Sequence, residues 1–196
     1  KDNQTFYKNI YSLNPSSNLK IDLGYKPKIS KYWKPRIKIN SKLKYNDAIE
    51  VIKSKLIKSI SYRMISDVPL AFCLSGGVDS GILASHASKT LKKKVSTFSI
   101  NDDDQRYNEL DNIKLITKNL NCNSNLIHIS KRKNFFLNRL KKLTDYHDGP
   151  IATLSYYIHS FLSEQISKKG YKISISGTGA DEIFTGYYDH YLLHFE

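Results

Sequence analysis

The stretch Leu74-Ser75-Gly76-Gly77-Val78-Asp79-Ser80 follows an apolar run, Val68-Pro69-Leu70-Ala71-Phe72-Cys73, and precedes a helical one, Ile82-Leu83-Ala84-Ser85-His86-Ala87. A strand that ends on two glycines and enters a helix gathers backbone N–H groups at the helix N-terminus, which is an anion trap. The glycines let the backbone approach an anion closely, and the Ser75 and Ser80 hydroxyls add donors. Asp79 is out of place beside an anion unless a divalent cation lies between the two charges.

Working outward, strand and helix alternate. Strand patterns cover about 68–74, 95–100, 125–129 and 172–176. Helical patterns cover about 79–93, 107–120, 133–145 and 153–168. This order predicts an α/β fold, a doubly wound parallel sheet with helices on both faces. Ahead of it, Ile49, Ile52, Leu56, Ile60 and Met64 recur at three- and four-residue steps and predict one buried helix face. Asp47-Ala48-Ile49-Glu50 fits a capping box at its start. Residues 1–40 hold short β-like runs, Pro15, Pro27, Pro35 and the pair Tyr32-Trp33, and do not amount to a domain alone.

Composition bounds the rest. The chain has 196 residues, 40% of them hydrophobic and 25% charged, which suits one α/β domain with a sizeable core. No stretch approaches a membrane span, and a secretory leader pattern is missing from Lys1-Asp2-Asn3-Gln4. Cys73 and Cys122 lack metal spacing and read as reduced thiols of a cytoplasmic protein. The net charge of +13 is spread over many Lys-rich segments with no arginine stripe, so a nucleic-acid partner is not expected. Of the six histidines, His190 and His194 have an i,i+4 spacing, but their aromatic neighbours favour packing. His147, next to Asp148, sits in a loop that could line a pocket, and Ser80 lacks a GxSxG elbow.

A second turn follows the last strand: Ser176-Gly177-Thr178-Gly179-Ala180-Asp181-Glu182-Ile183-Phe184-Thr185-Gly186-Tyr187. In a doubly wound sheet, ligands sit at the C-terminal strand ends where the strand order reverses. If the first and fourth strands of the sheet are neighbours, both turns face one cleft, and Asp79 and Asp181 share a magnesium ion there.

The first turn lacks the Lys of a GxxxxGK[ST] loop. As SGGxDS it resembles the pyrophosphate loop of ATP pyrophosphatases, which split ATP between its α- and β-phosphates. The second turn, SGxGxDExFxGY, resembles the other signature of the glutamine-dependent asparagine synthetase family. Further likenesses are Gln4-Thr5-Phe6-Tyr7-Lys8-Asn9-Ile10, Lys20-Ile21-Asp22, Lys31-Tyr32-Trp33, Asp67-Val68-Pro69, Arg106-Tyr107-Asn108-Glu109 and Asp148-Gly149-Pro150. The resemblance implies an adenine nucleotide alpha hydrolase-like fold, with ATP and Mg2+ as cofactors. It implies a ligase that adenylates a carboxylate and then lets ammonia attack it, releasing AMP and pyrophosphate. By position, Ser75, Gly76, Gly77 and Ser80 would cradle the pyrophosphate, and Asp79 and Asp181 would hold magnesium. Leu74 and Ile100 would wall the adenine and ribose, and Ser176 and Gly177 would border the AMP.

Thr178 stands where family members often carry an acid that assists the attack of ammonia. Threonine is no general base near neutral pH. Either Glu182 or another group substitutes, or the carboxylate differs from aspartate, a sugar-linked carboxylate being one alternative. The resemblance implies ammonia from a glutaminase domain that this sequence lacks, and it allows a homodimer of the parent protein. Residues 1–40 would be the junction with that domain, and 41–196 the first part of a synthetase domain that continues past Glu196. The rival readings are a tRNA-modifying enzyme that shares SGGxDS and a nucleotide-binding module without catalysis.

Overall fold

The structure, a computed structural model, describes residues 3–40, 42–92, 94–120, 122–129 and 136–195. Its centre is a parallel sheet built from β3 (Leu70–Cys73), β4 (Ser96–Asn101), β5 (Asn123–His128) and β6 (Ile173–Ile175), in the order β5-β4-β3-β6. β3 pairs in parallel with both β4 and β6, with Phe72 opposite Thr97 on one side and Ile175 on the other. The chain therefore moves outward from β3 to β4 and β5, then returns to the far side of β3. The order reverses between β3 and β6, and their C-terminal ends form the switch point. These strands and their helices occupy the segments that the alternating pattern predicts, and the fold class is the expected one.

The central strands β3 and β4 are buried on both faces; 68–74 accordingly reads as an unbroken apolar run, whereas β4 also buries Ser96, Thr97, Ser99 and Asn101. Ala71, Phe98 and Ile127 face Tyr157, Phe161 and Ile166 of α5 (Leu154–Lys168). Phe72 and Val95 face Ala87 of α2 (Val78–Leu91) and Ile60 and Met64 at the end of α1 (Tyr45–Arg63). Leu74, Ala84 and Ile113 close the gap between α2 and α3 (Leu110–Leu120). Burying one such side chain stabilises the fold by about 1.5–3 kcal/mol. α4 (Phe136–His147) is tied to α5 by Arg139, which bonds the Glu164 carboxylate, donates to Ser160 Oγ at 2.9 Å and lies over the Phe161 ring. The start expected for α4, at 133–135, lies outside the described residues.

Two expectations about α1 are corrected. The helix starts at Tyr45, with Lys44 as N-cap and no side-chain cap bond, so Asp47 and Glu50 lie inside the helix and form no capping box. The apolar stripe also splits: Ile60 and Met64 are buried, whereas Ile49 and Ile52 are 42% and 47% exposed. Only the C-terminal half of α1 reaches the sheet.

Upstream, β1 (Ser17–Ile21) and β2 (Pro27–Lys31) form an antiparallel hairpin. Its turn is held by Asp22 Oδ1, which accepts from Gly24 N–H at 3.1 Å. Downstream of β6 follow α6 (Ala180–Phe184) and α7 (Tyr188–Phe195). Among the described residues, no helix is long and apolar enough to cross a membrane. Cys73 and Cys122 are both free, and burial raises both thiol pKa values.

Candidate active site

The first turn leaves β3 as the resemblance implies but closes on itself. Leu74 N–H still donates to Phe98 O, at 2.9 Å, and extends the ladder by one rung. Ser75 N–H then donates to Ser80 Oγ at 3.1 Å, and Gly77 N–H to Ser75 Oγ at 3.2 Å. The two serine hydroxyls lie 2.9 Å apart, with Ser80 buried. Gly76 N–H donates to Glu109 Oε2 at 3.1 Å. These three loop N–H groups thus all have acceptors from within the chain. Gly77 is the extended N-cap of α2, so the N–H groups of the first helical turn, Val78, Asp79 and Ser80, have no intrahelical acceptor.

The second turn meets the first at Gly177. A Cβ built there would lie 3.0 Å from Ser80 N and 3.1 Å from Asp79 Cβ. A side chain there would force the neighbouring turn to give by a few tenths of an ångström, so glycine suits this approach. Gly179, at φ +96°, turns the chain into α6, a backbone conformation that favours glycine. Ser176 Oγ donates to Thr178 Oγ1 at 3.1 Å.

A cavity of about 1140 Å³ opens beside both turns. Gly76, Gly77 and Asp79 line it from the first turn, and Ser176, Gly177 and Thr178 from the second. Ile49, Ile52 and Ile57 of α1 form one wall, and Ile183 and Phe184 of α6 another. Lys53, Arg63 and Lys89 also line it and supply positive charge. The exposed half of the α1 stripe is therefore cavity wall. Apolar spacing alone gives no sign of this, because a core face and a cavity face have the same period.

The other expected residues fall in different places. Asp181 is half-buried in the first turn of α6, with its carboxylate turned onto Gly186, where a Cβ would lie 1.7 Å from Oδ1. Glu182 is exposed and accepts from Tyr187 Oη at 2.8 Å. That bond, then burial and the Glu182 and Asp181 charges, raises the Tyr187 pKa. Leu74 points into the α2–α3 core, whereas Ile100 packs against the α5 cluster on the opposite face of the sheet. The two strands bring their backbones to one sheet edge, but not their side chains to one wall. His190 packs against the Tyr187 ring at 5.2 Å, as the aromatic neighbours suggest. Glu109 is the residue to which the sequence reading gives no role; its only signal is its place in the Arg106-Tyr107-Asn108-Glu109 motif.

Residues 51–195 match the family model described as asparagine synthase. The chain is 31% identical over 139 residues to asparagine synthetase [glutamine-hydrolyzing] 1 of Bacillus subtilis, covering 71% of this chain and 21% of that protein. It is 32% identical over 191 residues to putative asparagine synthetase [glutamine-hydrolyzing] 2 of Methanocaldococcus jannaschii, covering 95% of this chain and 36% of that protein. It thus spans about a fifth to a third of the length of these relatives. Among solved structures, an NH3-dependent NAD synthetase from Campylobacter jejuni overlays with a TM-score of 0.49 at 20% identity, covering 70% of this chain and 60% of that one. With three quarters of its length matched by the family model and both signature turns in contact, the chain belongs to the asparagine synthase family.

Proposed function

We propose that this chain is the ATP-binding part of a ligase that converts a carboxylate to an amide. The carrying observation is the contact of Gly177 with Asp79 and Ser80, which joins both signature turns at the switch point of the sheet. ATP sits across that junction with its β- and γ-phosphates at Ser75, Gly76, Gly77 and Ser80. Its α-phosphate lies beside Ser176 and Gly177, and its base lies near the backbones of Leu74 and Ile100. A carboxylate oxygen attacks the α-phosphorus, the bond to the bridging oxygen of pyrophosphate breaks, and an acyl-AMP forms. Ammonia then attacks the acyl carbon, loses a proton, and AMP departs with the former carboxylate oxygen. The chain contributes alignment, N–H donors and exclusion of water.

Asp79 and Asp181 offer the hard oxygen donors that suit Mg2+. Among the described residues, no group of three or more His, Cys, Asp or Glu side chains could hold a metal ion alone. Asp79 and Asp181 would hold such an ion, which would supply charge neutralisation at the phosphates.

Thr178 favours an acceptor other than aspartate, because its hydroxyl, paired with Ser176, is no base. A sugar-linked carboxylate fits this departure, with Asp181 and Glu182 the nearest acids in sequence. The ammonia comes from a glutaminase domain of the longer parent polypeptide, and the exposed hairpin within residues 1–40 belongs to the junction with it. ATP–pyrophosphate exchange by the full-length polypeptide, run against aspartate and a panel of sugar acids, tests the reading. Exchange that depends on one carboxylate supports it; ATP binding without exchange on any carboxylate favours a non-catalytic nucleotide module.

A further inference from the structure

We infer that Glu109 is a positioning residue that sets the phosphate affinity of the first turn: its carboxylate occupies the Gly76 N–H, and a ligand phosphate must displace it. The inference rests on the ATP reading above and adds a residue to it. Glu109 is fixed by the start of α3, where Asn108 Oδ1 accepts from Leu110 N–H at 2.9 Å and Glu109 O accepts from Ile113 N–H at 3.0 Å. The turn is pressed against that point. A Cβ on Gly76 would lie 2.8 Å from Asn112 Cβ and 2.9 Å from Glu109 Cβ, so the carboxylate has little distance to cover.

The acceptors of the three loop N–H groups differ in charge. Ser75 and Gly77 donate to neutral hydroxyls, which bring no charge to repel a phosphate. Gly76 donates to a full negative charge. A hydrogen bond to a carboxylate is roughly twice as strong as a neutral one. The same charge also repels an incoming phosphate. Glu109 is thus an anion built into the chain that stands in for pyrophosphate when the site is empty and helps expel it after the reaction.

Calorimetric titration of the full-length polypeptide with inorganic pyrophosphate and Mg2+ tests this. Wild type is compared with Glu109→Gln, which keeps the shape and an acceptor oxygen but loses the charge, and with Glu109→Ala, which loses both. Titration with adenosine, which carries no phosphate, is run beside it. Both variants are expected to bind pyrophosphate about tenfold more tightly, with adenosine affinity unchanged. Equal or weaker pyrophosphate binding by the variants, with measurable binding by wild type, overturns the inference and leaves the ATP reading standing. Absence of pyrophosphate binding in all three proteins overturns both.

Discussion

Gly177 packs directly on Asp79: a Cβ at position 177 would come within 3.1 Å of the aspartate Cβ and 3.0 Å of the neighbouring Ser80 N. Parallel pairing of β3 with β6 makes this contact, since the turn after each strand then leaves the same edge of the sheet. Replacing Gly177 by Ala pushes the two turns apart at backbone atoms, which cannot rotate away. Overpacking of this kind costs about 1–3 kcal/mol. Gly177→Ala should lower the melting temperature and cut ATP affinity at least ~10-fold by titration. Unchanged ATP affinity would show that the two turns do not act as one site.

Gly186 does a similar service for Asp181, whose Oδ1 and Cγ would lie 1.7 and 2.6 Å from a Cβ at that position. Gly186→Ala forces the carboxylate elsewhere. Because Asp181 lies near the surface, little stability should be lost. The Mg2+ concentration needed for half-maximal ATP binding should rise several-fold, as read from titrations at fixed ATP. An unaltered Mg2+ requirement would remove Asp181 from the metal site.

Thr178 offers a test of substrate class. Thr178→Glu restores an acid beside Ser176, whose hydroxyl can donate to it as it does to Thr178 now. If position 178 governs the acceptor, exchange should shift toward aspartate relative to sugar acids. Unchanged preference and rate would deprive Thr178 of significance.

Glu164 predicts a pH effect on stability away from the site. Lys168 at 2.5 Å and the Arg139 guanidinium lower its pKa from 4.5 to about 2. A depressed carboxylate pKa adds stability above 4.5, and that stability is lost as the pH falls toward about 2. The side chain is 31% exposed, so screening keeps the gain in the range of surface ion pairs, ~0.2–1 kcal/mol. Glu164→Gln should lower the melting temperature at pH 7 by up to ~4 °C, and the difference should shrink on acidification below 4.5. A difference that persists at pH 2 would assign the effect to packing.

The sequence carries the sheet clearly because β3 and β4 are covered on both faces, and Ala71 and Phe72 must both be apolar for opposite reasons. The meeting of the two turns is conditional in the sequence, since it requires the first and fourth strands to be neighbours; the parallel pairing of β3 with β6 supplies that condition. Other features depend on register and approach that no local pattern encodes. Leu74 and Ile100 both end strands, yet the pleat sends one to α3 and the other to α5. The α1 stripe serves the core at Ile60 and a cavity at Ile52 with one unbroken period. The bond from Gly76 to Glu109 exists because α3 starts beside the turn, a tertiary fact with no sequence-local trace.

Transfer of oxygen from carboxylate to AMP tests the proposed chemistry most directly. The full-length polypeptide is supplied with ATP, Mg2+, ammonia and an 18O-labelled carboxylate, aspartate and a uronic acid in turn, and the nucleotide and phosphate products are weighed by mass spectrometry. Adenylation places one heavy oxygen in AMP and none in pyrophosphate. ADP together with heavy inorganic phosphate would mean attack at the γ-phosphate and would contradict the assignment of the two turns to an adenylating site.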